Sequence, residues 1–317
     1  MTIIFLIVCL PAIYLTGQVQ EKFSHAPQLL MPEKFNEIPH VRDFAMSGDG
    51  EEIYFTVQDF KKNLAFIGMI QKEGDTWSDI SLLPFSGTYN DIEPFISPDG
   101  ERLYFSSNRP LHQDSIQPKD YDIWYVKKNN GLWTEPVNVG EPINSTSNEF
   151  YPAITTSGNL YFTAQYKASR GKEDIYVCRW DGEKYFKPEN VGDSINTSLF
   201  EFNAYVSPDE KMIIYTSFGR NGSIGGGDLY YSTRDKNDEW RSSKMLPTPI
   251  NSTSLDFCPF YDKESKFLYF TSDRSSTERS YKQRIDFTGF LEHCNTYPNG
   301  QSRVFKINIR EIVPGME

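Results

Sequence analysis

Five acidic residues recur at similar spacing and are the most conspicuous candidates for chemistry. Asp43, Glu93, Glu149, Glu201 and Asp256 open the segments DFAMSGDGEEIYFT, EPFISPDGERLYFSS, EFYPAITTSGNLYFTA, EFNAYVSPDEKMIIYTS and DFCPFYDKESKFLYFTS. They stand 50, 56, 52 and 55 residues apart. Carboxylates held close raise one another's pKa and attract cations, so a ring of them could bind a cation or a basic group. Alternatively, each accepts hydrogen bonds from a neighbouring segment. Recurrence in every segment favours the structural role, because function usually breaks repeat symmetry.

A second acidic set comprises Asp122, Asp174 and Asp228, each directly before an apolar run such as Ile123-Trp124-Tyr125-Val126. Asp at such a boundary bonds nearby backbone N–H groups and fixes the loop exit, which is a structural reading. Other chemistry is sparse. His25, His40, His112 and His293 have no metal-ligand spacing. Asn221-Gly222-Ser223-Ile224-Gly225 approaches a nucleophile elbow but has Asn where the first Gly is needed. Gly225-Gly226-Gly227 lacks the Lys and Ser/Thr of a phosphate loop and reads as a flexible loop. No catalytic residue, metal site or cofactor is expected. The sequons at Asn144, Asn196 and Asn251 share one repeat position, unlike Asn221, so a turn role is expected for those three. Apart from Cys9, the cysteines are Cys178, Cys258 and Cys294, without paired spacing. Either Cys258 and Cys294 form one bridge or the thiols are buried and free.

The elements that position these residues follow from the repeat. A period of this size means stacked supersecondary units, and a 15% aromatic content selects sheet over helical repeats. Each unit reads as four strands. Strand A follows the acidic residue and ends in a turn, clearest at Pro98-Asp99-Gly100, where Pro presets φ and Gly accepts φ > 0. Strand B alternates around aromatics, as in Leu103-Tyr104-Phe105 and Leu160-Tyr161-Phe162. Strand C follows Asp122, Asp174 and Asp228, and strand D opens on Trp77, Trp133, Tyr185 or Trp240. The last unit has strands A and B, a long insertion from about Ser275 to Gly300, and strand C, but no room for strand D. Phe23 to Leu30 resembles a strand D, so the N-terminal segment is expected to complete the last blade and close the ring. The expected fold is all-β: a β-propeller of four-stranded antiparallel blades, five in number, with six as the alternative.

The run SPDGERLYFSS, followed by the Asp-Ile-Trp-Tyr strand from Asp122, resembles the propeller repeat of the TolB family, a WD-repeat-like blade of bacterial envelope proteins. The resemblance spans roughly residues 41 to 310. It implies protein–protein contact through the propeller faces. TolB-type propellers usually have six blades, whereas five are counted here. The hydrolase domain that follows related propellers in prolyl oligopeptidase-like enzymes is not expected.

Ile3 to Leu15 is an apolar run, too short to span a bilayer and suited to a signal-peptide core. The expected organisation is a signal peptide over 1–18 and one propeller domain over 19–317. The protein is then periplasmic or secreted and not an integral membrane protein. A net charge of −11 disfavours nucleic acid as a partner. The leading functional expectation is a non-enzymatic binding module with a protein partner in the cell envelope. The alternative is a carbohydrate-active enzyme or glycan-binding protein of the five-bladed glycoside hydrolase type, using a carboxylate pair at the channel mouth.

Overall fold

A computed structural model describes residues 26–111, 119–276, 284–310 and 312–313. The expected signal peptide, Phe23, His25 and His112 lie outside these residues. The chain forms five antiparallel blades around a central channel, each with strand A innermost. In chain order the A strands are His40–Met46, Asp91–Ile96, Glu149–Ile154, Phe200–Val206 and Asp256–Asp262. The B strands are Glu52–Gln58, Arg102–Ser107, Leu160–Ala164, Met212–Phe218 and Phe267–Ser272. The C strands are Ala65–Glu73, Asp122–Asn129, Asp174–Cys178, Asp228–Thr233 and Arg303–Asn308. Strand D is short throughout, and in blades 1 and 2 it is split in two (Thr76–Trp77 with Ser81–Leu82, Leu132–Trp133 with Val137–Asn138).

Strand B carries the cores. Tyr54, Tyr161 and Tyr215 are fully buried, as are the phenylalanines beside them such as Phe55 and Phe162. Both faces of this strand are covered, by the preceding and by the following blade, as where Phe55 packs with Val304 of blade 5 and Tyr54 with Leu103 of blade 2. Its sequence therefore reads as a continuous apolar run rather than a half-polar alternation. Burying each such ring contributes on the order of 1.5–3 kcal/mol.

The ring closes as the sequence implies. Gln28–Leu29 pairs antiparallel with strand C of blade 5, with Gln28 opposite Lys306 and Leu29 opposite Phe305. Leu30 N–H then donates to Val304 O at 2.9 Å. Leu30 and Phe35, the latter on the short helix α1 (Pro32–Phe35), pack with Phe55 and Val304 into the core of blade 1. The N-terminal segment thus supplies a strand to the last blade and side chains to the first.

Up-and-down blades place the A–B and C–D turns on one face of the disc and the B–C loops and D–A links on the other. The blade 5 insertion lies on the B–C side. It contains a helix the sequence reading did not anticipate, α2 (Phe287–Asn295), whose N-terminus is capped by Asp286 accepting from Gly289 N–H. Gly225 to Gly227 are held in place rather than left loose. A Cβ on Gly225 would stand 2.1 Å from Ser254 O, and Gly226 N–H donates to Ser254 O at 2.9 Å. Here glycine permits close approach of a B–C loop to the neighbouring D–A link.

Candidate functional site

The five strand-A acids do not occupy equivalent positions. Every A strand carries a β-bulge, located between Arg42 and Ala45, Ile92 and Phe95, Phe150 and Ala153, Phe202 and Tyr205, and Phe257 and Phe260. The first bulged residue has positive φ in all five blades: Asp43 (61°), Glu93 (61°), Tyr151 (51°), Asn203 (52°) and Cys258 (50°). Asp43 and Glu93 therefore belong to this inner set. Glu149, Glu201 and Asp256 stand two residues earlier, where blade 2 has Asp91 and blade 1 has Val41. A one-ring arrangement of Asp43, Glu93, Glu149, Glu201 and Asp256 is thus replaced by two registers. The frame that shows this is the proline of Glu93-Pro94, Tyr151-Pro152 and Cys258-Pro259.

The outer register is a strap between strand A, strand B and the preceding D–A link. Asp91 accepts from Ser107 Oγ (2.6 Å), Ser86 Oγ (2.8 Å) and Arg109 Nη2 (2.7 Å). Glu201 accepts from Ser217 Oγ (2.9 Å), Thr197 N–H (2.7 Å) and Arg220 Nη2 (3.0 Å). Asp256 accepts from Ser272 Oγ (2.5 Å), Ser252 N–H (2.6 Å) and Arg274 Nη2 (2.8 Å). Blade 3 departs from this pattern. Glu149 is bonded by Ser145 Oγ (2.5 Å) and Ser145 N–H (3.2 Å), but Ala164 and Tyr166 stand where its counterparts have Ser and Arg. Burial without a cation pushes the Glu149 carboxyl up to about 7, against the opposing pull of Ser145. In blade 1 the site is apolar, Val41 facing Val57.

The Asp set behaves as loop anchors. Asp174 accepts from the N–H groups of Arg170 (2.7 Å) and Gly171 (3.0 Å), and Asp228 from that of Ile224 (2.9 Å). Asp122 instead pairs with Lys119 Nζ (2.8 Å) and Asn138 Nδ2 (2.7 Å). The sequon asparagines are clamps. Asn144, Asn196 and Asn251 are buried, and each side chain bonds both the N–H and the C=O of one strand C residue, Ile123, Ile175 or Leu229. Cys178 and Cys258 are buried free thiols, while Cys294 is free and exposed on α2.

The inner register lines the channel, and its residues differ in every blade. Backbone N–H groups of four of them donate across the blade interface to a strand B hydroxyl: Asp43 to Thr271, Glu93 to Thr56, Tyr151 to Ser106 and Asn203 to Thr163. This bond offsets part of the cost of holding non-glycine residues at positive φ. The side chains form one polar plug. Arg42 donates from Nε to Asp43 Oδ1 (2.7 Å) and from Nη2 to Glu93 Oε1 (3.0 Å), and lies 3.4 Å from Cys258 Sγ. Glu93 accepts further bonds from Asn203 Nδ2 (3.2 Å), Ser106 Oγ (3.1 Å) and Tyr151 N–H (2.8 Å). Burial pushes the Glu93 carboxyl up to about 7, with Arg42 pulling it down and Asp43 raising it further. The Cys258 thiol is pushed up by burial and by Asp43. Above the plug, Arg42 stacks over Phe257 with 5.1 Å to the ring centre, and Phe150 and Phe202 occupy the corresponding positions in blades 3 and 4.

The other end of the channel is different. A cavity of about 630 Å³ opens among the A–B turns, with residues from all five blades around it. Its walls include Met46, Phe95, Tyr205, Met212 and Phe260, and its rim carries Asp49, Asp209, Asp262 and Glu264 with Lys263. Among the described residues no group of His, Cys, Asp and Glu is placed to hold a metal ion, and no helix is long and apolar enough to cross a membrane.

No protein-family model and no curated protein matches this chain. Solved structures do. TolB from Acinetobacter baumannii is 15% identical over 74% of this chain and 49% of its own, with a TM-score of 0.47, so this chain spans about half of its length. The catalytic domain of the Coprinopsis cinerea GH62 α-L-arabinofuranosidase is 11% identical over 88% of this chain and 94% of its own, with a TM-score of 0.51. The α-L-arabinofuranosidase PaAbf62A from Podospora anserina, solved with cellotriose, is 12% identical over 88% and 93%, with a TM-score of 0.50. At such identities the likeness is one of fold: this chain is a five-bladed β-propeller whose structural neighbours include TolB proteins.

Proposed function

We propose that this chain is an exported, non-enzymatic binding propeller acting at the cell envelope through a protein partner. The observation that carries the non-enzymatic reading is that the channel carboxylates Asp43 and Glu93 are buried and held by groups of the propeller itself rather than open to a substrate. Hydrolysis of a glycoside needs one carboxyl free to protonate the leaving oxygen and a second free to activate water or attack. Glu93 is only 4% exposed and already accepts bonds from four residues, while Asp43 is 1% exposed and held by Arg42. Glu201 and Asp256 are each held by a serine and an arginine of the same blade. Export rests on the apolar run Ile3 to Leu15, and the envelope assignment on the resemblance of the SPDGERLYFSS blade to TolB repeats.

The test has two arms. Purified protein is assayed on aryl arabinofuranosides, xylosides and glucosides; no turnover is expected, and turnover abolished by Glu93→Gln would replace this reading with the glycosidase one. Crosslinked capture from envelope extract, followed by reconstitution of the purified pair, is expected to give a saturable complex. Exported material should begin between about Gly17 and Glu21. Intact Met1 confined to a cytoplasmic fraction would overturn the export claim.

A further inference from the structure

We infer that the cavity at the A–B end of the channel is the ligand site, and that it takes a peptide segment carrying a basic side chain beside an apolar one. The inference rests on the binding-module reading and names the site and chemical class of its partner. Three observations on this cavity converge.

The first is size and position. About 630 Å³ on the propeller axis falls within the range of concave sites that bury a small ligand or a few side chains. Residues from five blades line it, so a bound segment touches every blade at once.

The second is the wall. Tyr205 and Phe260 meet edge to face with ring centres 5.4 Å apart, and Phe95 joins them on the lining. Met46 and Met212 add flexible, polarisable surface suited to an irregular apolar side chain. Aromatic faces also attract ammonium and guanidinium groups.

The third is the rim. Asp49, Asp209, Asp262 and Glu264 face one base, Lys263, which is itself 3.3 Å from Asp209. The hydrogen bond from Ser47 holds the Asp49 carboxyl below the usual carboxylate range, so it is charged at neutral pH. A low-dielectric cavity under a rim of net negative charge focuses the field and favours a cationic group. The plug at the other end lacks this character, because its carboxylates are buried and bonded to Arg42 and to groups of neighbouring blades.

The experiment uses the full mature chain, immobilised, and a displayed library of random dodecapeptides as probe. Enriched peptides are expected to carry Lys or Arg next to Leu, Ile, Phe or Tyr, and a synthetic representative should bind more weakly as salt rises. Glu264→Lys should weaken that peptide about tenfold, by rim repulsion. Lys263→Glu, which makes the rim more acidic, should tighten it several-fold. Phe260→Ala tests the wall. Because Phe260 also packs on Phe44, its result counts only if its melting curve matches wild type, and the two rim variants stand without it. Enrichment of acidic or uncharged peptides, or binding indifferent to both rim variants, would overturn the inference. Peptides whose binding is lost on Phe287→Ser in α2 instead would keep the binding-module reading and remove this site. Glycoside turnover abolished by Glu93→Gln would remove the reading itself.

Discussion

The two ends of the central channel are built from the same five strands yet have opposite characters. Toward the B–C loops, Arg42, Asp43, Glu93, Asn203 and Cys258 fill the channel with polar groups that answer one another. Toward the A–B turns, the same strands end in Phe95, Tyr205 and Phe260 around open space. The difference lies in what each residue has left to offer. A buried polar group whose partners are all internal holds the scaffold. An apolar wall under an unbalanced charged rim is available to something else. Polarity alone points to the plug, whereas open apolar surface points to the A–B end.

Breaking the plug should therefore cost the most stability. Arg42→Ala leaves Asp43 and Glu93 buried without their cation and is expected to destabilise the fold by about 3–5 kcal/mol. Chemical denaturation would measure this, and a loss under 1 kcal/mol would mean the plug holds little. The outer register comes next. Glu201→Gln breaks the pair with Arg220 and should cost about 1.5–3 kcal/mol by thermal melt.

Glu149 sharpens the comparison because it sits in the same register without an arginine. Its folded pKa of about 7 lies above the unfolded value, so the folded state binds more protons between roughly pH 4.5 and 7. Its contribution is therefore fully present below that window and is lost as pH rises through 7. Glu149→Gln should raise stability by about 1–2 kcal/mol at pH 8 and flatten the pH dependence between 5 and 7. A drop at pH 8 equal to that of Glu201→Gln would show that Tyr166 and Ser145 replace the arginine fully. The smallest effect belongs to the cavity rim. Glu264→Lys, in an exposed turn, should change stability by less than about 0.5 kcal/mol, whatever it does to binding.

Much of this architecture was legible in the chain. The apolar, aromatic-bearing runs of strand B and the turns after strand A gave the blade number, because each is a local signal repeated in every unit, and the incomplete last unit gave closure. Helix α2 was not legible, since a nine-residue helix inside the blade 5 insertion has no counterpart in the other blades. The candidate site was half legible. Its acids were visible, but aligning them on charge merged two registers. A shift of two residues keeps a side chain on the same face of a strand, so the pattern of types did not expose the error.

By itself the sequence determined the repeat, the blade and the closure by the N-terminal strand, because local propensity and hydrophobic period act over a few residues. Only the tertiary structure decided which acids share a position, which are spent on neighbours and which end of the channel is open. Those depend on five bulges at positive φ that turn one residue of each strand A into the channel. They depend equally on bonds such as Arg42 to Glu93 and Asn203 to Glu93, which join residues of different blades. No window of sequence contains both partners of such a bond.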